Sequence, residues 1–359
     1  MAERQTGPVC LIATGGTAGH VLPSLAVAEA LRARGAVVTF AGSPARFEAK
    51  LVPEVGFEFD TFEISGLPRR PGIAQVRAAM RAAGAVRACR RILQRRRPDV
   101  VLGGGGYVAG PMVLAAAGQR IPTALLEADA HLGLANRLSA PFARRIFLSF
   151  PIQGRKGTKY RVTGRPIPLS SRVTLSPEDA RARFFLERGP VLLVFGGSQG
   201  ARSLNELVVE SFGAAGPAVL HLSGEREFST LAKRVSRPDY RLLPFVPEFG
   251  VALAAADLVL ARAGGSVWEL AAAERPAILV PYPFATGDHQ TKNARYFEQV
   301  GGAVVISEAE LGLVPGLARS LLGDPGRLAE MAAAMARVAR PDAADEIAQE
   351  LIALAAAGR

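Results

Sequence analysis

Four glycine-rich turns hold most of the residues with which this chain could do chemistry. Each turn follows an apolar run of strand length and precedes a segment with helical spacing, at residues 14–20, 103–107, 196–201 and 262–266. Glycines allow backbone N–H groups to converge on an anion, and a helix that begins just after such a turn adds the positive end of its dipole. The turns therefore predict that the protein binds phosphate groups.

The spacing of the glycines argues against two common nucleotide-binding motifs. Gly15, Gly16 and Gly19 do not form the G-x-G-x-x-G pattern of dinucleotide sites, and no turn ends in Lys followed by Ser or Thr, as a triphosphate loop does. The turns are better suited to a diphosphate.

His20 is one of four histidines and lies where the first turn joins its helix. An imidazole there could accept a proton, and the helix N-terminus is expected to lower its pKa and keep it neutral. The alternative is a histidine that caps the helix by bonding a backbone carbonyl. His131, His221 and His289 lack metal-ligand spacing, so we predict no metal site.

Two polar groups lie near the later turns. Glu269 follows the fourth turn by one helical turn and could accept hydrogen bonds from vicinal ribose hydroxyls, or could merely complement the helix dipole. Asp288, His289, Gln290 and Asn293 form a polar cluster that suits a ligand or simple loop capping.

The strand-length apolar runs alternate with helical segments, which predicts an α/β protein with doubly wound parallel sheets. A chain of 359 residues exceeds what one core usually organises, so two domains are expected, with their glycine turns facing a shared cleft. We interpret residues 154–174, rich in Gly, Pro and basic residues, as the linker, and residues 343–357 as a terminal helix. The predicted strands span residues 9–13, 37–40, 100–102, 123–126 and 146–150, then 191–195, 219–222, 242–246, 258–260, 277–280 and 303–306.

The net charge of +11 is concentrated, because residues 64–98 contain ten arginines and no Asp or Glu. Arg87, Arg91 and Arg95 recur at helical spacing beside an apolar stripe, which favours the anionic face of a bilayer. Nucleic acid is disfavoured, since no aromatic residues interleave the arginines. The alternative is a solvated helix face that packs inward through Ile92 and Leu93.

Neither a membrane-spanning run nor a signal segment is evident, which favours a cytoplasmic protein. Cys10 and Cys89 are the only cysteines, and we interpret both as structural.

Together these motifs resemble the MurG family, which transfers N-acetylglucosamine from UDP-N-acetylglucosamine to lipid I (undecaprenyl-pyrophosphoryl-N-acetylmuramyl pentapeptide) to form lipid II for peptidoglycan. The resemblance rests on residues 14–23, 64–67, 103–111, 196–205, 262–272 and 288–294.

This resemblance implies a GT-B fold without a cofactor or metal. Residues 1–163 would form an acceptor-binding, membrane-associating domain, residues 164–341 a UDP-sugar-binding domain, and residues 342–359 a helix that returns to the first domain. The protein would lie peripherally on the cytoplasmic face of the cell membrane, with other cell-wall synthesis proteins as further partners and no nucleic acid.

Residue by residue, the resemblance implies that His20 is the base that deprotonates the 4-hydroxyl of the acceptor, with inversion at the anomeric carbon. The implied donor-binding residues are Thr17, Ala18, Gly19, Asp129, Arg165, Ser198, Gln199, Val246, Arg262, Ser266, Glu269 and Gln290. The implied acceptor-binding residues are Gly15, Gly16, Gly104, Gly105, Tyr107, Glu127 and Asn136.

The chain departs from the family pattern at four places. Residues 126–129 read Leu-Glu-Ala-Asp where many members have His-Glu-Gln-Asn, so Asp129 would take over a sugar contact. Arg165 begins Arg-Pro-Ile-Pro in place of Asn-Pro-x-Arg and would substitute for the displaced arginine; the fourth turn is about one residue shorter, and Thr291 replaces a second Gln. Two other hypotheses therefore stay open: a GT-B enzyme with a soluble or glycolipid acceptor, and a catalytically silent nucleotide-sugar-binding scaffold.

Overall fold

The computed structural model describes residues 7–64, 73–186, 189–197 and 200–358, with the side chains of residues 73–83 excepted. Ser198 and Gln199, and most of the family-like segment at residues 64–67, lie outside the described residues. The chain divides into two compact units, one comprising residues 1–166 and 341–359 and the other residues 167–340.

The first unit is built on a parallel sheet of seven strands in the order β3-β2-β1-β4-β5-β6-β7. The strands are β1 Val9–Ala13, β2 Val37–Gly42, β3 Glu58–Thr61, β4 Val100–Gly103, β5 Thr123–Glu127, β6 Arg145–Leu148 and β7 Tyr160–Val162. The helices that follow the strands are α1 Ala18–Ala33, α2 Phe47–Glu54, α3 Ile73–Arg96, α4 Ala109–Gly118 and α5 Leu134–Ser139. The central strands are apolar throughout because helices cover both faces of the sheet.

The second unit repeats this architecture with six parallel strands in the order β10-β9-β8-β11-β12-β13. The strands are β8 Val191–Phe195, β9 Ala218–Leu222, β10 Tyr240–Leu243, β11 Leu258–Ala261, β12 Ala277–Leu279 and β13 Ala303–Val305. The helices are α6 Pro177–Arg183, α7 Arg202–Phe212, α8 Glu225–Leu231, α9 Phe249–Ala255, α10 Val267–Ala272, α11 His289–Gln299, α12 Val314–Leu322 and α13 Pro325–Val338. Two doubly wound parallel sheets confirm the predicted fold class.

Two edge strands were not predicted from the sequence. Strand β3 carries Glu58 and Asp60, and β7 carries Arg161, so neither forms an apolar run. Strand β7 pairs with β6 inside the segment interpreted as the linker, and that interpretation is wrong for residues 160–162. An edge strand contacts the core on fewer sides, which permits the charged residues.

The C-terminal helix, α14 (Ala343–Ala356), belongs to the first unit and packs against α1. Ile347, Leu351 and Leu354 join the apolar core of that unit. Arg34 pairs with Asp345 at 2.6 Å across the same contact.

The basic helix α3 is anchored through its apolar side, since Cys89, Ile92 and Leu93 are buried. Two of its arginines are paired: Arg95 bonds Asp60 at 2.6 Å, and Arg96 bonds Asp60 at 2.7 Å. Burial alone would raise the pKa of Asp60, but the two guanidinium partners hold that pKa below its ordinary value. Arg95 is therefore tied to the edge strand β3 although its side chain is 60% exposed, and Arg87 and Arg91 are exposed as well.

No helix within the described residues is long and apolar enough to cross a membrane. Both cysteines are buried and free, and burial raises the pKa of each thiol to about 12.

Candidate active site

The first two glycine turns pack directly against each other, at the carboxyl ends of the adjacent strands β1 and β4. A Cβ on Gly106 would lie 2.1 Å from the carbonyl oxygen of Gly15, and one on Gly105 would lie 2.4 Å from Cδ2 of His20. Gly105 and Gly106 also have positive φ angles of 103° and 73°. Glycine is required at both positions because the second turn has no space for a side chain.

His20 is held at this junction by its own backbone and by neighbouring hydroxyls. It is the third residue of α1, and its carbonyl oxygen accepts hydrogen bonds from the hydroxyls of Thr14 and Ser24 at 3.0 and 2.9 Å. Its Nδ1 lies 3.3 Å from the hydroxyl oxygen of Thr17. The imidazole therefore lies between Thr17 and Gly105, at the positive end of the helix dipole.

A buried carboxylate that the sequence analysis missed lies beneath the first turn. Glu48 of α2 is fully buried; its Oε2 accepts the N–H of Gly16 at 3.1 Å and its Oε1 accepts the N–H of Ser43 at 3.2 Å. The N–H of Gly16, expected to face an acceptor pyrophosphate, is used within the protein. No local pattern distinguishes Glu48, since an acidic residue in the first turn of a helix is commonplace.

The loop after β5 is organised by Glu127, which is 4% exposed. Its carboxylate accepts hydrogen bonds from the side-chain amide of Asn136 at 2.9 Å and from the N–H groups of Gly133 and Asp129 at 2.8 and 3.2 Å. Burial raises the pKa of Glu127 to about 7 against the lowering effect of these hydrogen bonds. Two predicted acceptor-binding residues, Glu127 and Asn136, are thus brought into contact.

Arg165 connects this loop with the first turn. Its side chain donates to the carbonyl oxygen of Gly19 at 2.6 Å and to that of Ala128 at 3.5 Å. Because Arg165 is only 6% exposed, these backbone contacts occupy much of its guanidinium. Arg165, which stands where the family pattern has Asn, thereby braces the start of α1.

In the second unit, the third glycine turn rests on a buried polar network. A Cβ on Gly200 would lie 2.5 Å from the carbonyl oxygen of Ser223, and that oxygen accepts a hydrogen bond from Asn205 at 2.9 Å. Asn205 also lies 2.9 Å from Nε2 of His221, whose Nδ1 lies 2.8 Å from the hydroxyl of Tyr240. Burial lowers the pKa of His221 to about 3, so this imidazole is neutral and structural.

Arg262, the first residue of the fourth turn, links that turn to α7 within the second unit. Its guanidinium pairs with Glu308 and donates to the hydroxyl of Ser203 at 2.9 Å and the carbonyl oxygen of Val280 at 3.2 Å. The hydrogen bond from Arg262 lowers the pKa of Glu308. The charge of Arg262 is already balanced inside the protein, so a direct role in nucleotide binding stays a prediction.

The remaining predicted donor-binding residues lie around the fourth turn and after β10. Glu269 in α10 accepts a hydrogen bond from the hydroxyl of Ser171 at 2.8 Å, and Oε1 of Gln290 accepts the N–H of Tyr282 at 2.9 Å. Ser266 immediately precedes α10, and Val246 is partly exposed between β10 and α9.

The polar cluster at residues 288–293 includes contacts of the loop-capping kind. Thr291 bonds Asp288 at 2.6 Å, and Nδ1 of His289 lies 2.9 Å from the carbonyl oxygen of Thr286. Asn293 is buried and bonds the carbonyl oxygen of Ala263 at 3.3 Å, next to the fourth turn.

The predicted site residues fall in two groups, one in each unit. The first unit contains Gly15, Gly16, Thr17, Ala18, Gly19, His20, Gly104, Gly105, Tyr107, Glu127, Asp129, Asn136 and Arg165. The described members in the second unit are Val246, Arg262, Ser266, Glu269 and Gln290.

Comparison with known proteins finds a family match in each half of the chain. Residues 10–148 match the glycosyltransferase family 28 N-terminal domain, and residues 191–347 match the family's C-terminal domain. Relatives from Acidithiobacillus ferrooxidans and Halorhodospira halophila are 42% and 43% identical, covering 95% and 94% of this chain and 96% of each relative. Both are named UDP-N-acetylglucosamine-N-acetylmuramyl-(pentapeptide) pyrophosphoryl-undecaprenol N-acetylglucosamine transferase.

Solved structures agree as well. The crystal structure of Acinetobacter baumannii MurG matches with a TM-score of 0.77 and 27% identity, covering 96% of this chain and 99% of that one. The calicheamicin glycosyltransferase CalG4 matches with a TM-score of 0.68 at 19% identity, covering 97% of this chain and 99% of that one, and supports the fold alone.

Two parallel-sheet units with glycine turns at the carboxyl ends of their strands, together with the family 28 matches over both units, define the class as a GT-B glycosyltransferase. The chain belongs to glycosyltransferase family 28 and, within it, to the MurG family.

Proposed function

We propose that this protein transfers N-acetylglucosamine from UDP-N-acetylglucosamine to the 4-hydroxyl of N-acetylmuramic acid in lipid I, forming lipid II. The observation that carries the proposal is the position of His20, fixed at the junction of two glycine turns in a chain of which 95% matches a relative named as an N-acetylglucosamine transferase of this kind. An imidazole at this junction would serve as a proton acceptor beside backbone that suits a phosphorylated acceptor.

The donor is assigned to the second unit. The diphosphate would meet the amides of the third turn and the N-terminus of α7, with Ser198 and Gln199 adding side-chain contacts. Val246 would recognise uracil through its backbone, Glu269 would bind the ribose hydroxyls and Gln290 the sugar. Glu269 already accepts a hydrogen bond from the hydroxyl of Ser171, which would hold its carboxylate in place to bind the ribose.

We assign the acceptor to the first unit, where Gly105 of the second turn lies against His20 and the ring of Tyr107 lies 3.5 Å from the Cβ position of Gly16. As the 4-hydroxyl oxygen attacks the anomeric carbon, its proton passes to the imidazole of His20. The new glycosidic bond forms while the bond from the anomeric carbon to the diphosphate oxygen breaks, so the configuration inverts and UDP leaves with the electron pair. Backbone N–H groups aimed at the leaving diphosphate would stabilise its growing charge.

We propose that the reaction uses neither a cofactor nor a metal. The backbone dipoles and helix N-termini of the donor unit would supply the stabilisation of negative charge that a cation supplies in other transferases.

We further propose that the protein works peripherally at the cytoplasmic face of the cell membrane. Its proposed acceptor is anchored in lipid, and exposed arginines on α3, including Arg87 and Arg91, suit an anionic bilayer at about 1 kcal/mol each. Binding to vesicles with and without anionic lipid, at two salt concentrations, tests this placement.

The function is tested by following radiolabel from UDP-N-acetylglucosamine into a short-chain lipid I analogue, with other sugar nucleotides as competitors and soluble sugars as alternative acceptors. We expect labelled lipid II analogue and competition chiefly by UDP-N-acetylglucosamine itself. Transfer to soluble acceptors alone would favour a different GT-B enzyme, and binding of UDP without any transfer would favour a scaffold.

A further inference from the structure

We propose that Glu48 is a positioning residue for the transfer reaction, because its buried carboxylate fixes the Gly15-Gly16 turn and thereby the imidazole of His20. The effect on catalysis rests on the proposed function, whereas the effect on the turn itself does not.

The carboxylate of Glu48 is built into the turn. It is fully buried. One carboxylate oxygen accepts a hydrogen bond from the N–H of Gly16 at 3.1 Å, and the other accepts one at 3.2 Å from the N–H of Ser43, in the segment after β2. One side chain therefore ties the loops after β1 and β2 together. Two hydrogen bonds to a charged group are stronger than ordinary neutral ones, which makes the link stiff.

The glycines around Glu48 are explained by this carboxylate. A Cβ on Gly15 would lie 2.2 Å from Oε1 of Glu48, and a Cβ on Gly42 would lie 2.9 Å from its Cγ. Gly15 and Gly42 thus leave space for the carboxylate of Glu48 rather than for a substrate phosphate. A bound pyrophosphate must avoid the Gly16 amide and use other donors, because two anions compete for one N–H.

The turn transmits this constraint to His20. Gly16 has a φ of 99° and is followed by Thr17, the N-cap of α1, whose hydroxyl lies 3.3 Å from Nδ1 of His20. On the other side, the Gly15 carbonyl packs against Gly106. A change in the Gly15-Gly16 peptide therefore shifts both neighbours of the imidazole.

The test compares Glu48→Gln with Glu54→Gln, the same substitution on the same helix at a side chain that is 53% exposed and weakly paired with Lys50. Glu48→Gln keeps the size but removes the charge, and its amide group opposes one of the two N–H donors. We expect faster amide hydrogen exchange in residues 14–20 for Glu48→Gln alone. We also expect kcat to fall about tenfold or more, with UDP affinity and the donor KM within twofold of wild type, because misplacing a catalytic group costs rate.

The outcomes separate the two proposals. The role of Glu48 is overturned if amide hydrogen exchange at residues 14–20 of Glu48→Gln is the same as in wild type. It is also overturned if the wild type is active and the variant has the same kcat. Faster exchange in a protein whose wild type transfers no sugar supports the positioning of the turn and rejects the proposed function instead. If Glu48→Gln does not fold, Glu48→Asp decides by the same measurements, since it keeps the charge but shortens the side chain by one methylene.

Discussion

Nη2 of Arg165 donates a hydrogen bond to the carbonyl oxygen of Gly19 at 2.6 Å, although 146 positions separate the two residues in the sequence. The guanidinium lies at the end of the first unit, one residue before the unit boundary, and supports the helix turn that carries His20. A residue expected to bind the donor thus also braces the start of the helix that carries His20.

Arg165→Met separates these roles, since it keeps the apolar stem and removes the donors. We expect a loss of about 1.5–3 kcal/mol in the free energy of unfolding and a fall in kcat of about tenfold, with the donor KM retained. Arg161→Met, at a 47% exposed side chain paired with Glu346, is the control and is expected to lose at most about 1 kcal/mol. A raised donor KM with normal kcat would instead show that Arg165 binds the diphosphate.

Gly105→Ala tests the packing of the second turn against the imidazole. The added methyl group would lie 2.4 Å from Cδ2 of His20, and the φ of 103° disfavours any side chain. Gly157→Ala is the matched control, because Gly157 has a φ of 90° but no neighbour among the described residues within 4 Å of its Cβ position. Both variants should lose about 1–2 kcal/mol of stability from backbone strain, but only Gly105→Ala should lower kcat. Equal kcat values for the two variants would contradict the contact.

Glu127 predicts a pH dependence of stability. Its folded-state pKa of about 7 lies above the ordinary value of 4.5, so the folded protein binds this proton more tightly. This proton's contribution to the free energy of unfolding is complete below pH 4.5. As pH rises through 7 the contribution is lost, and the free energy of unfolding falls by about 3 kcal/mol. Denaturant unfolding between pH 5 and 8 should therefore show a steeper loss for wild type than for Glu127→Gln.

The control for this titration is Glu330→Gln, at a side chain that is 70% exposed. It should follow the wild-type curve. Parallel curves for wild type and Glu127→Gln would show that the carboxyl is ionised throughout this range.

Asn205→Ala tests the support of the third turn. The substitution leaves the buried Nε2 of His221 and the carbonyl of Ser223 without the partner that Asn205 provides, at about 1–3 kcal/mol for each group. We expect lower stability together with a higher KM for UDP-N-acetylglucosamine, as measured by unfolding and initial rates. Glu206→Ala, the next position on α7, removes a partly exposed ion pair with Arg234 and should change neither by much. A wild-type KM for UDP-N-acetylglucosamine in Asn205→Ala would show that the buried network does not support donor binding.

The sequence predicted the central strands because apolar runs mark strands buried on both faces. It missed β3 and β7, whose charged residues suit a sheet edge, and so interpreted residues 160–162 as linker. The glycine turns and His20 were predictable because their spacing is local. Glu48 was not, since its partners at Ser43 and Gly16 come together only when two loops fold against each other.

Other roles depended on contacts that no local pattern reveals. The pairing of Arg262 with Glu308 joins residues 46 positions apart and gives a residue expected to contact the nucleotide a structural link as well. The Arg95 contact with Asp60 similarly pairs one arginine of the basic face predicted on α3, although its side chain stays 60% exposed. Asn205 lies in the family-like segment at residues 196–205, which indicated that this part of the chain is functional. The motif did not reveal that Asn205 belongs to a buried polar network.

The most direct measurement is the steady-state rate of transfer to a lipid I analogue by wild type and His20→Ala, with UDP affinity determined in parallel. We predict that kcat falls by about 10²–10⁴-fold in the variant while UDP binding is unchanged, because the substitution removes the proton acceptor and leaves the donor unit intact. A His20→Ala enzyme that retains kcat within a few-fold of wild type would contradict the account.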